Sequence, residues 1–170
     1  MKKSGRTLQA RLYGLKHLSS RLKRARHFRG HGVHSPFVYN IVRKVFMQRN
    51  LVCDNRDLYT ALKEHGVAER RCVQLQNLMA HCGYERWHMD SMEACDLIIC
   101  TMATPYDQLL AYANYARENR LTLCIMEPYN NANRWDVCRT IVAEHPSTTV
   151  DNRAYLLVFN NHLPKQVFVL

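Results

Sequence analysis

Apolar residues recur every three or four positions through the first half of this chain, then condense into short continuous runs in the second half. Leu8, Leu12, Leu15, Leu18, Leu22 and Ala25 predict an amphipathic helix over residues 7–26, broken by Gly30 and Gly32. Ser35 reads as an N-cap with Pro36 at the first helical position of a second helix. That helix carries Phe37, Val38, Ile41, Val42, Val45 and Phe46 on one buried face. A third helix is expected from Asp54 to His65 and Gly66. A fourth runs over residues 68–82, with Val73, Leu75, Leu78 and Met79 inward and Gly83 as its left-handed stop.

From Tyr84 onward short apolar runs alternate with helices, the signature of a parallel sheet. Residues 86–89 make a weak strand, whereas Leu97–Cys100 and residues 121–126 are continuously apolar, as central strands are. Between the latter two lies a helix capped by Thr104 and Pro105, with Leu109, Leu110, Ala113 and Ala116 facing in. A further helix over residues 132–144 presents Trp135, Cys138, Ile141 and Val142 and ends at His145-Pro146. Two last strands, residues 155–159 and Gln166–Val169, are joined by a segment too short for a parallel crossover, which predicts an antiparallel pair. The expected fold is α/β, a sheet of four or five strands (residues 84–170) behind a basic helical N-terminal region (residues 1–83), in one compact domain.

Charge sharpens this picture. The first acidic side chain is Asp54, and thirteen Lys or Arg residues precede it. The net +10 therefore divides into +13 for residues 1–53 and −3 for the remainder. Such asymmetry is not required for folding and points to a phosphate-bearing partner. Arg11, Lys16, Arg21, Lys23, Arg24, Arg26 and Arg29 are the candidate phosphate contacts, with Tyr13, His17, His27 and Phe28 available to stack on the bases of a structured RNA. A protein partner, an anionic membrane surface and a merely solvated face are the competing readings; the leucine-only apolar face, lacking Trp or Phe anchors, disfavours the membrane.

The apolar fraction of 47% excludes a disordered chain, and no apolar run is long enough for a membrane span. No apolar run follows the basic N-terminus, which argues against a signal peptide. Seven cysteines without a C-x-x-C pair suit free thiols in a reducing cytoplasm.

Metal and nucleophile readings are weaker. His27, His31 and His34 have helical ligand spacing, but Gly30 and Gly32 interrupt the helix, and no metal site is expected. Ser35 is better used as a cap than as a nucleophile beside His34, because no acid orients the histidine. His81, Cys82 and His88 match no common zinc pattern. Glu127, Tyr129 and Asn130 follow a buried strand at its carboxyl end, where open α/β sheets place ligands, and form either a small polar pocket or a helix-capping loop.

The segment Gly30-His31-Gly32-Val33-His34-Ser35-Pro36-Phe37-Val38-Tyr39 resembles the opening motif of a bacterial family of class I S-adenosylmethionine (SAM)-dependent methyltransferase-like proteins. Leu163-Pro164-Lys165-Gln166 before an apolar strand is similar to that family's ending. The resemblance covers residues 24–46 and 147–170 and implies a Rossmann-like methyltransferase-type sheet finished by an antiparallel last strand. The family holds its cofactor with a Gly-rich turn after the first strand and an acid one strand later. Here Gly66 and Gly83, each at a predicted helix end, are the sole glycines after residue 50. Only seven residues separate Met89 from Leu97, short for a helical crossover. Thr101-Met102 replaces one expected acid, and Glu127 alone stands where a family acid would. The expectation is a shortened relative without SAM-dependent catalysis that binds structured RNA or another phosphate-rich partner through its N-terminal helix. An alternative is an interaction subunit, forming a homodimer or pairing with a full-length relative, if Leu97–Cys100 is left as an open edge. A second alternative is a SAM-dependent methyltransferase acting around Glu127.

Overall fold

The computed structural model describes residues 34–170; the expected helix over residues 7–26, the seven cationic candidates from Arg11 to Arg29 and His31 lie outside the described residues. The first described helix starts as its sequence demands. Ser35 is extended, its hydroxyl accepts the Val38 N–H at 3.4 Å, and Pro36 occupies the first turn. Helix α1 (Pro36–Ile41) continues into a π-helical turn over Val42–Phe46, so the second half of the expected helix is wound more loosely. Val38, Ile41, Val42, Val45 and Phe46 are all buried.

Helix α2 (Asp57–Glu64) begins three residues later than expected, because the Asn55 side chain accepts the Asp57 N–H and holds residues 54–56 out of the helix. Helix α3 (Glu69–Cys82) stops at Gly83, whose φ of 69° is the left-handed conformation glycine adopts without penalty. One face of α3 buries Cys72, Leu75, Leu78 and Met79. The helix also buries Gln74, Gln76 and Asn77, which act as polar splints. Gln74 donates to the Phe46 carbonyl at 2.9 Å, and Asn77 to the Asn50 carbonyl at 2.9 Å.

The rest of the chain is β1 (Trp87–Met89), β2 (Leu97–Cys100), α4 (Leu109–Glu118), β3 (Thr122–Met126), α5 (Ala132–Glu144), β4 (Thr148–Asp151), β5 (Tyr155–Val158) and β6 (Gln166–Val169). These strands form one six-stranded mixed sheet in the order β1-β2-β3-β5-β4-β6. The period of two divides its residues between two cores. Leu97, Ile99, Cys124, Met126 and Leu157 pack against α1–α3, while Ile98, Cys100, Leu123, Ile125, Leu156 and Val158 pack against α4 and α5. The result is a three-layer α/β/α arrangement, with both faces covered, as continuously apolar strands require.

Several expectations need correction. The sheet has six strands, because Thr148–Asp151 forms β4; its threonines look polar in sequence but are β-branched and buried. The last two strands do not pair. β5 is the antiparallel strand, between β3 and β4, and β6 lies on the far side of β4, parallel to it. The intervening segment passes over the start of β4, where the Ser147 hydroxyl bonds both Asn161 and Leu163. Between β1 and β2 the seven residues do make a parallel connection. They suffice because β1 is three residues long, so the chain need return only about 10 Å, well within reach of seven residues. Asp90, at φ 51°, reverses the chain there. β1 pairs along Leu97–Ile99, so Leu97–Cys100 is not an open edge. Leu110 is 38% exposed, and Tyr112 takes its expected place in the core. Thr104 does not cap the following helix; a 3-10 turn over Tyr106–Gln108 without a side-chain cap precedes α4.

Candidate functional site

Open α/β sheets bind ligands beyond the carboxyl ends of their parallel strands. Here that end is occupied by the protein itself. The residues that follow β1, β2 and β3 are Asp90, Thr101 and Glu127. Asp90 accepts the Thr101 N–H at 2.7 Å and the Thr101 hydroxyl at 2.5 Å, and the Thr104 hydroxyl also donates to it. From the opposite side comes Arg134, in the first turn of α5 and 2% exposed. Its guanidinium donates to the carbonyls of Thr101 (2.9 Å), Thr104 (3.0 Å) and Met126 (3.0 and 3.2 Å). A carboxylate thus holds the donors of the 101–104 loop while a guanidinium holds its acceptors. The loop is clamped across the ends of β2 and β3.

Neither Asp90 nor Arg134 was legible as a site residue. Arg134 sits on a helix face whose neighbours Asn133 and Trp135 give no apolar period to mark it as buried. The strand end that Asp90 follows is only a weak strand signal.

The three residues expected around this end are placed differently from one another. Glu127 is exposed in a left-handed turn at φ 46°. Asn130 is exposed, its N–H donating to the Glu127 carbonyl at 3.0 Å. Tyr129 turns inward: its hydroxyl donates to Asp151, and its ring stacks on Trp135 at 4.3 Å. Asn131 caps α5 by accepting the Arg134 N–H at 2.8 Å. Nearby, burial holds the Arg71 guanidinium below its usual value, partly opposed by Tyr155 and Glu127. Arg71 donates to Gln74 at 2.7 Å, and the Tyr155 hydroxyl donates to the same Gln74 oxygen at 3.2 Å.

The N-terminal motif does structural service in its described part. His34 and Pro36 are exposed, Ser35 is the cap, and the Phe37 ring meets Phe159 edge-on at 5.0 Å, fastening α1 to the end of β5. Among the described residues no three His, Cys, Asp or Glu side chains are grouped to hold a metal. Burial pushes the Cys100 and Cys138 thiols up to about 12. Neither is a thiolate at neutral pH, so neither is an activated nucleophile.

A cavity of about 500 Å³ opens at the other end of the sheet, by the amino ends of β1, β2 and β3. Arg86, Asp96, Asn119, Arg120, Asn160 and Asn161 contribute to its wall. Helix α4 stops there in a Schellman arrangement, with Leu121 N–H on the Ala116 carbonyl (2.8 Å) and Arg120 N–H on the Arg117 carbonyl (3.3 Å). The left-handed position, usually glycine, is Arg120 at φ 57°, at a cost of about 1 kcal/mol relative to glycine.

The fold and this end-to-end contrast define an α/β protein with a mixed six-stranded sheet compatible with a Rossmann-like fold. No protein-family model, curated protein or solved structure matches the chain. Among the described residues no helix is long and apolar enough to cross a membrane.

Proposed function

We propose that the chain is a non-catalytic, methyltransferase-like protein that binds structured RNA through its basic N-terminal segment, with the α/β body as its platform. One observation carries this reading. Ten of the 24 basic residues precede residue 34, leaving 14 to balance all 14 acidic residues, so residues 34–170 are formally neutral and the entire +10 lies in residues 1–33. Charge concentrated in this way is the electrostatic footprint of phosphate binding.

The residues at the carboxyl end do not fit SAM as the resembled family holds it. None of the three residues that end β1, β2 and β3 is glycine, so no bare backbone is offered to a cofactor there. Asp90 spends its carboxylate on Thr101 and Thr104, and Arg134 fills the end of β2 and β3. A mixed sheet with one antiparallel strand near its C-terminus supports the structural kinship, without the chemistry.

Fluorescence anisotropy of the full chain with a folded RNA at low salt tests the reading. If the seven named cations each neutralise a phosphate, affinity falls about a thousandfold between 50 and 200 mM salt. A triple change, Arg21→Glu with Lys23→Glu and Arg24→Glu, is expected to abolish binding and leave the thermal midpoint of the body unchanged. Absence of RNA binding by the unaltered chain at 50 mM salt refutes the proposal.

A further inference from the structure

The cavity at the amino ends of β1–β3 has no part in the RNA reading, and its wall is chemically specific. Its volume, about 500 Å³, is in the range of small-molecule sites. Among the described residues, the guanidinium groups of Arg86 and Arg120 have no hydrogen-bond or ion-pair partner. Asn119 and Asn160 each commit their amide nitrogen to a backbone carbonyl, at 2.9 and 2.7 Å, which leaves their amide oxygens as acceptors. The one carboxylate on the wall, Asp96, is engaged by the N–H groups of Glu85 (3.0 Å) and Arg86 (2.9 Å), which offset its charge. Arg120, on the cavity wall, also holds a backbone conformation that favours glycine.

We propose that this cavity binds a phosphorylated sugar, free or as a nucleotide. The two arginines receive the phosphate, because guanidinium groups match its oxygens in charge and geometry. The oxygens of Asn119 and Asn160 accept from sugar hydroxyls. None of the residues lining the cavity is among the N-terminal cations, so its ligand is expected to survive their replacement.

Calorimetry of the full-length protein with ribose 5-phosphate and with adenosine 5′-monophosphate tests this, with ribose and adenosine as uncharged controls. The expected result is saturable binding of at least one phosphorylated probe and none of the controls. Binding of both identifies the sugar phosphate as the recognised unit; binding of the nucleotide alone assigns the site to nucleotides. Arg120→Gly is the discriminating variant: it relieves the backbone, so the thermal midpoint rises, while affinity for the probe falls about tenfold or more. Arg86→Gln is expected to weaken binding similarly without raising the midpoint. The proposal is overturned if neither phosphorylated probe binds at millimolar concentration, if adenosine binds as well as its monophosphate, or if Arg120→Gly binds like the unaltered chain. The Arg21, Lys23 and Arg24 triple change is expected to leave probe binding intact, so this site and the RNA surface fail or succeed independently.

Discussion

Replacing Arg134 by methionine removes the guanidinium while nearly conserving side-chain volume, so it isolates the clamp at the carboxyl end of the sheet from any cavity effect. Arg134 donates four hydrogen bonds to three buried carbonyls. Bonds to a charged donor contribute about 1.5–3 kcal/mol each in net terms, which would give more than 5 kcal/mol if they were additive. Two of the four share the Met126 carbonyl, and returning the guanidinium to water recovers part of its desolvation energy. The expected loss is therefore about 3–5 kcal/mol, a large share of the stability of an ordinary domain. Arg134→Lys keeps the charge but cannot span three carbonyls, and it should fall between the two. Urea unfolding followed by circular dichroism reads both values, provided the slope with urea is unchanged. A loss below about 1 kcal/mol for Arg134→Met, or none for Arg134→Lys, would refute the clamp.

Three further outcomes are expected. Gln74→Leu strands the Phe46 carbonyl in the interior, removes one partner of the Tyr155 hydroxyl, and should cost about 1–3 kcal/mol in the same assay. Ser35→Ala removes the cap of α1 and should cost about 1 kcal/mol. Stability should also fall with acid, because burial lowers the pKa of His145, whose Nε2 lies 2.7 Å from the Phe159 carbonyl, and that of His81. The unfolded chain takes up these protons near the ordinary 6.5 while the folded protein resists them, so stability is lost as pH drops below that value; thermal melts of His145→Gln should show a shallower decline.

How much of this was legible depended on whether the determining interactions were local. The Ser35 cap, the Gly83 stop and strands β2 and β3 were readable because each is fixed within a few residues, by a hydroxyl, a missing Cβ or a continuous apolar run. The charge imbalance needs no structure at all. Other features are set by partners far along the chain. Arg134 is buried because Thr101 and Thr104, some thirty residues earlier, present carbonyls to it. Gln74 is buried because Tyr155 and Phe46 need a polar partner. Nothing in the spacing of the last strands reveals that β4 lies between β5 and β6, since strand order is decided by which edges remain open once the helices have covered both faces.

The cavity shows the same division. Arg86 and Arg120 are unremarkable in sequence, and only the parallel registers of β1, β2 and β3 bring their strand starts to one end of the sheet. Local chemistry determined which segments are helices and strands and where the charge lies. Tertiary packing decided which end of the sheet is closed by Asp90 and Arg134 and which end stays open.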